Sequence, residues 1–505
     1  MLEIKHLGIE VDSRFLIQDL NLTLQKHDKL AIIGEEGNGK STLLKCLIGD
    51  CPYANISGII NSHGLQMGYF KQELFATELQ MRVDAYLFPT MDDYSAKIGL
   101  CYQQLGKLEL RESILEVEKI ATLSGGEKVK LQLLKLQLED PDILLLDEPT
   151  NDLDLSTLVW LEQFINRFEK PLLYVSHDET LLRHTANMIL HLEMTKKKQV
   201  AKHTLVRMDY DTYVAEREQL LTKMTMVAKK ERSEMEKKTT KMKQILNKVA
   251  YEQEHISRKN PHGAKMLKRK MKHMKVQERR LQEVVLTEIP DYEEDIHFFF
   301  DEIHVVPTKT IIQLQLDQLK IHDQILSRNV NLEVRGPEHV VIIGKNGVGK
   351  STLLTSIYQE LQKRPDLQVG YMPQSYDLIL ADYPNAIAFL TMTGDQEEEQ
   401  HIRQCLGNMK FTSAEMTGDI HALSGGSKAK LWLLKLVLMK CNVLLLDEPT
   451  RNVSPLSSPV IRKVLAQYQG TIISISHDRN YIDEVCSVVY ELTPAGLVRQ
   501  KESRI

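Results

Sequence analysis

The chain has 505 residues, enough for two or three domains that each bury a core. Hydrophobic residues make up 42% and charged residues 26%, and the formal net charge of −5 gives no global sign of nucleic-acid binding. Apolar runs such as Ile143–Leu146 are far shorter than the roughly 20 residues of a membrane-spanning helix. Glu3 and Lys5 stand where a secretion signal would need its apolar core, and the six cysteines form no C-x-x-C pair. We therefore expect a protein of the reducing cytoplasm, without a membrane domain or a targeting segment.

A glycine-rich loop follows the first buried-strand pattern, and a second such loop occurs 310 residues later. Gly34–Ser41 and Gly344–Ser351 both match G-x-x-x-x-G-K-[ST], and each stands between an apolar strand and a helical pattern. Glycines let backbone N–H groups converge on phosphates at a helix N-terminus. The lysine of each loop is expected to neutralise the β- and γ-phosphates of ATP, and the serine to bind Mg²⁺. The candidate nucleotide-binding residues are Gly34, Gly37, Asn38, Gly39, Lys40, Ser41 and Thr42 in the first loop and Gly344, Asn346, Gly347, Gly349, Lys350, Ser351 and Thr352 in the second.

Further along, an apolar strand ends in two carboxylates followed by Pro-Thr. The run Leu144-Leu-Leu-Asp-Glu-Pro-Thr150 recurs unchanged 300 residues later. Asp147 and Asp447 are expected to hold the Mg²⁺ shell. Glu148 and Glu448 follow them and are placed to polarise the attacking water, as general bases.

Two shorter motifs recur at the same interval of 300 residues. Leu123-Ser-Gly-Gly reappears from position 423, and Ser176-His-Asp reappears from position 476. Four motifs repeated in the same order exclude chance similarity. The sequence therefore predicts two homologous domains, residues 1–196 and 307–505.

The segment between the domains, residues 197–306, has a different character. Residues 211–288 contain 20 Lys/Arg and 11 Asp/Glu, a local net charge of +9. Asn260-Pro-His-Gly263 supplies a turn between two helical patterns. We predict two long helices packed antiparallel as a coiled coil, with a tip at about residues 250–263. The apolar residues that recur at intervals of seven are Leu221, Ala228, Met235, Met242 and Val249, followed by Leu267, Met274 and Leu281.

The repeated Leu123-Ser-Gly-Gly-Glu-Lys128 and Leu423-Ser-Gly-Gly-Ser-Lys428 resemble the signature motif of ATP-binding-cassette proteins. The resemblance implies an α/β fold with two P-loop cassettes that pair head to tail within one chain, so that each signature completes the other cassette's ATP site. It also implies a glutamine beside the metal and a switch histidine at the γ-phosphate. The residues concerned are Ser124, Gly125, Gly126, Ser424, Gly425 and Gly426 in the signatures, Gln72 and Gln374 near the metal, and His177 and His477 as catalytic switches.

The second copy departs from this family pattern in two places. The first cassette has the D-loop Asn151-Asp-Leu-Asp154, whereas the second has Arg451-Asn-Val-Ser454. In the second signature Ser427 takes the position of Glu127. Because a D-loop reaches across the cassette pair, we expect the two ATP sites to be unequal.

Three kinds of cassette ATPase compete as interpretations: the ATPase component of a membrane transporter, a chromosome-type coiled-coil ATPase, and the ABC-F family. Chromosome-type proteins insert a very long coiled coil between P-loop and signature, but Lys40 and Ser124 are only 84 residues apart. A transport ATPase has no need for a basic hairpin between its cassettes. A helix of about 38 residues spans about 57 Å and suits a phosphate-lined crevice. The whole chain is therefore most similar to the ABC-F family, which acts on the ribosome.

Within that family, the long hairpin and the irregular second D-loop resemble the antibiotic-resistance branch, the Vga/Lsa-like proteins. This implies a monomeric cytoplasmic ATPase that binds the ribosome at the tRNA exit site, contacts large-subunit rRNA, and pushes its hairpin toward the P-site tRNA and the peptidyl-transferase centre. The alternative is a drug-independent factor that relieves stalled ribosomes. The candidate RNA-binding residues are Tyr251, His255, Arg258, Lys259 and His262 at the tip and Lys265, Lys268, Arg269 and Lys272 on the stem.

Overall fold

The computed structural model describes residues 2–151, 153–195, 200–255, 261–282, 306, 308–321, 324–409, 411–451 and 453–500. The chain divides into two compact units. One unit comprises residues 1–210 together with residues 293–505 and contains both cassettes, and the other comprises residues 211–292.

The first cassette alternates strands and helices. Its strands are β1 (Leu2–Val11), β2 (Arg14–Leu24), β3 (Lys29–Gly34), β4 (Asn55–Asn61), β5 (Met67–Phe70), β6 (Ile143–Asp147), β7 (Leu172–Val175), β8 (Met188–Thr195) and β9 (Val200–Val206). Its helices are α1 (Lys40–Leu47), α2 (Ala76–Leu79), α3 (Val83–Leu87), α4 (Met91–Lys107), α5 (Gly125–Glu139), α6 (Leu155–Arg167) and α7 (Glu179–Thr185).

A six-stranded sheet forms the centre of this cassette, in the order β5-β6-β7-β3-β8-β9. The first five strands pair in parallel, and only β9 pairs antiparallel among them. Strands β3, β6 and β7 are buried along their whole length, as expected for apolar parallel strands covered on both faces. Their carboxyl ends lie along one edge of the sheet, which is where open α/β sheets bind ligands. The phosphate loop, the carboxylate pair and the switch histidine follow these three strands.

The second cassette repeats the architecture. Its strands are β10 (Thr310–Ile321), β11 (Gln324–Arg335), β12 (His339–Ile343), β13 (Val369–Met372), β14 (Val443–Asp447), β15 (Thr471–Ile475), β16 (Val488–Thr493) and β17 (Gly496–Arg499). Its helices are α10 (Lys350–Leu361), α11 (Asp377–Leu380), α12 (Ala386–Leu390), α13 (Gln396–Asn408), α14 (Ser413–Thr417), α15 (Gly425–Leu438), α16 (Ser458–Ala466) and α17 (Arg479–Val485). The sheet order, β13-β14-β15-β12-β16-β17, matches that of the first cassette strand for strand. The predicted α/β fold with two P-loop cassettes is confirmed.

The two cassettes differ in their smaller antiparallel sheet. In the first it has three strands, in the order β2-β1-β4, but in the described part of the second only β10 and β11 pair. The sequence explains the difference, because 38 residues separate Gly34 from Gln72 whereas only 30 separate Gly344 from Gln374. The shorter segment leaves no counterpart of β4.

The described part of the second unit contains two long helices, α8 (Tyr210–His255) and α9 (Pro261–Gln282). The 46 residues of α8 extend about 69 Å at 1.5 Å per residue. Its heptad stripe is the covered face: Ala228 and Val249 are fully buried, and Met235 and Met242 are half-buried. The predicted helical hairpin is confirmed, and its α8 is longer than the 38 residues expected.

The start of α9 differs from the predicted turn at Asn260–Gly263, since the helix already begins at Pro261. Proline suits a first helical position because its fixed φ and missing N–H cost nothing there. Residues 256–260, which include the candidate RNA-binding residues Arg258 and Lys259, lie outside the described residues. In the part of the chain that the structure describes, no helix combines the length and the apolar character required to cross a lipid bilayer.

Candidate functional site

The loop between β3 and α1 wraps around the ammonium group of Lys40. Its Nζ donates hydrogen bonds to the carbonyl oxygens of Gly34 (2.8 Å) and Glu35 (3.0 Å). Gly39, just before α1, has a φ of 88°, and a Cβ there would lie 3.0 Å from Cβ of Leu16, so the turn requires glycine. Burial lowers the pKa of Lys40, although nearby carboxylates oppose the shift. This loop geometry turns backbone N–H groups toward an anion and fits the phosphates of ATP.

The loop before α10 repeats this arrangement. Nζ of Lys350 donates to the carbonyl oxygens of Gly344 (2.8 Å) and Lys345 (3.1 Å). Gly349 has a φ of 104°. In the first loop, Nδ2 of the predicted ligand Asn38 donates to the carbonyl oxygen of Leu192 on β8 at 3.0 Å, which ties the loop to the sheet.

Hard oxygen donors converge at the end of β6. Oγ of Ser41 donates to Oδ1 of Asp147 at 2.8 Å, and the hydroxyl of Tyr69 donates to Oδ2 at 2.8 Å. Burial raises the pKa of Asp147, and that of Asp447 at the equivalent place. Hydroxyl and carboxylate oxygens are the donors that Mg²⁺ prefers, so the site fits the predicted metal. When bound there, Mg²⁺ would neutralise phosphate charge.

The switch histidine of the first cassette is held from both sides. Its Nδ1 donates to the carbonyl oxygen of Val453, in the D-loop of the other cassette, at 3.0 Å. Its Nε2 lies 2.9 Å from Oε1 of Glu148. Burial alone would raise the pKa of Glu148, but the charge and hydrogen bond of His177 outweigh it and lower the pKa. The carboxylate is therefore ionised, as a group that polarises water must be.

The second cassette holds the equivalent pair more loosely. Nε2 of His477 lies 3.9 Å from Oε1 of Glu448. Burial, followed by the neighbouring Asp447, raises the pKa of Glu448 to about 8. Burial, followed by the charge of Lys350, lowers the pKa of His477 to about 4. These two shifts favour the uncharged forms of Glu448 and His477 at pH 7, whereas the Glu148 carboxylate of the first cassette is ionised.

Each predicted signature motif lies at the start of a helix, α5 in the first cassette and α15 in the second. Ser124 caps α5 by accepting a hydrogen bond from the N–H of Glu127 (3.3 Å), and the Glu127 carboxylate accepts the N–H of Ser124 (3.0 Å). Ser424 caps α15 by accepting from the N–H of Ser427 (3.2 Å), without a carboxylate of its own. The first signature has a complete capping box and the second has half of one.

Each signature lies across from the P-loop of the other cassette. A cavity of about 710 Å³ is lined by Gly125 from the first cassette and by Lys350 and Glu448 from the second. Among its other lining residues are the predicted Asn346, Gly347, Gly349, Ser351, Thr352, Gln374, Asp447 and His477. A smaller cavity of about 190 Å³ lies at the first P-loop. It is lined by the predicted Gly37, Gly39, Lys40, Ser41, Thr42, Gln72, Glu148 and His177. At this first P-loop, the N–H groups of Gly425 and Gly426 donate to Glu36.

The predicted RNA-binding residues that the structure describes lie on helices. Tyr251 is 63% exposed and stacks on His255 with ring centroids 4.0 Å apart. Lys265, Lys268, Arg269 and Lys272 are exposed on α9. His262 belongs to the first turn of the same helix.

Sequence reasoning missed a cluster of buried ion pairs between the cassettes. Arg462 on α16 donates to both carboxylate oxygens of Glu179 on α7, at 2.6 and 3.1 Å, and also to Glu484 at 2.9 Å. Arg479 on α17 donates to Glu162 on α6. All four residues of the two cross-cassette pairs are buried.

The signal for these pairs was present in the repeat. Glu162 and Arg462 are 300 residues apart, and so are Glu179 and Arg479. At both positions the first cassette carries an acid and the second a base. Aligning the two copies and looking for charge inversion would have found the interface.

Two cassettes with phosphate loops, paired carboxylates and opposed signature helices define a tandem-cassette ATPase. Residues 17–151 and 327–451 match the family model described as ABC transporter. Because these matches cover half of the chain, the protein belongs to the ABC transporter family, and its relatives confirm the predicted ABC-F membership.

Three relatives illustrate the similarity. Ribosome protection protein VmlR of Bacillus subtilis (strain 168) is 28% identical, over 98% of this chain and 87% of its own length. ABC transporter F family member 5 of Arabidopsis thaliana is 23% identical, over 94% of this chain and 72% of its own. The crystal structure of archaeal ribosome recycling factor aABCE1 with stalk protein aP1 has a TM-score of 0.61 at 18% identity, covering 98% of this chain and 90% of that one. The structural match supports the tandem-cassette fold.

Replacing both Glu148 and Glu448 with glutamine should lower ATP turnover by at least about 100-fold, because general-base catalysis contributes that much or more. ATP binding should persist, since both phosphate loops remain intact. Phosphate release and retention of labelled ATP measure the two effects. The exposed Glu139→Gln serves as the control for the same chemical change. Normal turnover in the double variant would remove the catalytic role from these glutamates.

Glu179→Gln should destabilise the cassette interface by about 3–5 kcal/mol, because it leaves Arg462 as a buried charge without its main partner. Combining Glu179→Met with Arg462→Met should restore much of that stability. Native-state hydrogen exchange of the α16 and α17 amides measures the opening free energy. Glu360→Gln, which breaks an exposed ion pair with Lys363, should change it by less than about 1 kcal/mol. Equal effects of the buried and exposed substitutions would contradict the prediction.

Proposed function

We propose that this ATPase protects the ribosome from antibiotics in the cytoplasm. Its ATP-closed form binds at the tRNA exit site, and its hairpin points toward the P-site tRNA and the peptidyl-transferase centre, where it displaces the drug. The observation that carries the proposal is a long basic hairpin that lies in the sequence between two cassettes with ATPase motifs.

The chemistry of the hairpin supports a nucleic-acid partner. Residues 211–288 carry 20 basic and 11 acidic side chains, in a chain whose overall charge is −5. Lys268, Arg269 and Lys272 are exposed on α9. Lysine and arginine side chains that neutralise phosphates give strong, salt-sensitive binding with little dependence on sequence. A folded RNA offers such phosphates at high density.

The tip chemistry supports contact with unpaired bases. Tyr251 and His255 form an exposed aromatic pair near the end of α8. Aromatic side chains stack on bases that are splayed out of a helix. The length of α8, about 69 Å, suits reaching from a peripheral binding site to an interior one.

A relative adds weight to the choice of the ribosome. VmlR, which this chain resembles over 98% of its length, is named a ribosome protection protein. Bringing that role to this chain explains why a basic hairpin joins two cassettes. A change in ribosome affinity with ATP-driven closure would make the protein a two-state switch.

Substitution of the basic residues on the stem tests the ribosome-binding step. Changing Lys265, Lys268, Arg269 and Lys272 to alanine should weaken ATP-dependent co-sedimentation with ribosomes and lower the slope of log K against log salt by about 3, because fewer counterions are released. The matched control removes four exposed lysines from the cassettes. It carries Lys26→Ala, Lys107→Ala, Lys320→Ala and Lys463→Ala. Circular dichroism checks that helicity is kept. Equal losses in both variants would point to net charge rather than to the hairpin.

The aromatic pair tests the effect that follows binding. Tyr251→Ala with His255→Ala should leave ribosome co-sedimentation within about twofold but remove protection. Phosphate contacts of the stem supply the affinity for the ribosome, whereas stacking at the tip supplies the protective effect. Growth of cells with antibiotics that target the large subunit measures protection. Growth without drug, on messages that stall the ribosome, separates the drug-independent alternative. Unchanged growth in both assays would reduce the hairpin to a spacer.

A further inference from the structure

The first P-loop contains a carboxylate that contacts the opposite signature helix. The N–H groups of Gly425 and Gly426, at the start of α15, donate to Oε2 of Glu36, the second of them at 3.3 Å. Glu36 lies four residues before Lys40 in the loop that cradles phosphate. A carboxylate at a helix N-terminus accepts the free N–H groups and is favoured by the helix dipole. Glu36 thus satisfies, from the other cassette, the donors that a phosphate would use.

The second site is built without this carboxylate. The position equivalent to Glu36 is Asn346, whose Oδ1 lies 3.4 Å from Nζ of Lys350. The signature helix that faces it, α5, already has the carboxylate of Glu127 in its own capping box. In the other signature Ser427 takes that place, so α15 receives its carboxylate from Glu36 instead. The two cassettes thus differ at the positions of Glu36 and Ser427 in complementary ways: the signature that lacks its own carboxylate receives one from the opposite P-loop.

Glu36 also lines a cavity at the first P-loop. About 190 Å³ is open there, whereas the cavity of about 710 Å³ is lined by Glu148 and His177 of the first cassette as well as by Lys350 of the second. Glu36 is exposed, so its carboxylate has room to swing into solvent when a more highly charged group takes its place.

We propose that Glu36 is a built-in competitor for the γ-phosphate of ATP at the first site, which makes the two sites fill in order. ATP enters the second site directly. At the first site, the γ-phosphate must displace Glu36 from Gly425 and Gly426 before the signature closes on the nucleotide. ADP has no γ-phosphate to place there, so Glu36 does not compete with it. This ordering concerns the ATPase cycle alone and does not depend on the proposed role at the ribosome.

Binding of ATP and ADP to the first site tests the proposal. The full-length protein carries Glu148→Gln and Glu448→Gln to prevent turnover and Lys350→Ala to weaken the second site, and affinities are measured by equilibrium dialysis. Glu36→Gln should tighten ATP binding about fivefold, the size expected for an exposed charge at a helix N-terminus. ADP affinity should change by less than about twofold, because ADP has no γ-phosphate that must displace Glu36 from the N-terminus of α15. Equal tightening of ATP and ADP would mean general charge repulsion, and unchanged or weaker ATP binding would mean no competition; either result overturns the proposal.

A second measurement does not involve nucleotide. Without ATP, the amides of Gly425 and Gly426 should exchange with solvent faster in Glu36→Gln than in the parent protein, because a neutral amide oxygen is a weaker acceptor than a carboxylate at a helix N-terminus. Glu35→Gln makes the same chemical change at the neighbouring position and should leave these amides unaffected. Identical exchange in all three proteins would overturn the contact itself.

The reciprocal test introduces the same carboxylate contact into the second site. Asn346→Glu combined with Glu127→Ser copies the first-site arrangement into the second site. In a protein with Lys40→Ala and both catalytic glutamates replaced by glutamine, this pair should weaken ATP binding about fivefold and leave ADP binding nearly unchanged. Unchanged ATP affinity would show that a carboxylate at this loop position does not compete.

Discussion

The arrangement of both ATP sites depends on two buried ion pairs that join the cassettes. Arg462 binds Glu179 and Arg479 binds Glu162, with all four side chains removed from solvent. A buried charge without its partner is strongly destabilising, so these contacts fix which surfaces meet. They lie next to the switch histidines: Glu179 is two residues from His177, and Arg479 is two residues from His477. The interface that holds the cassettes together thus also positions the catalytic edge of each sheet.

Symmetry of the fold does not extend to symmetry of the sites. Glu148 and His177 form a close contact of 2.9 Å, and a D-loop carbonyl of the other cassette holds the histidine. Glu448 and His477 are 3.9 Å apart, and burial favours the uncharged form of each. The differences between the two sites lie in residues that reach across the interface. Such residues can change one site without disturbing the core of either cassette. The two sites are therefore structurally distinct within one chain.

The repeat and its motifs were sufficient to predict the α/β cassettes, because phosphate binding restricts backbone and side chain at fixed spacings. The heptad stripe from Leu221 to Val249 likewise predicted a covered helix face, since burial follows helical periodicity. The sequence did not locate the start of α9, because Pro261 both breaks and begins helices. Nor did it reveal Glu36 as a partner of Gly425, since 389 residues separate them and only the cassette interface brings them together.

The charge inversion between the cassettes also determines the kinetic order of closure. Two first cassettes from different molecules would bring Glu162 and Glu179 against the same acids, and two second cassettes would bring arginines together. Each cassette is therefore complementary to its neighbour in the chain, to which the linker keeps it at high effective concentration. Closure is then a first-order event whose rate is independent of how many copies the cell contains.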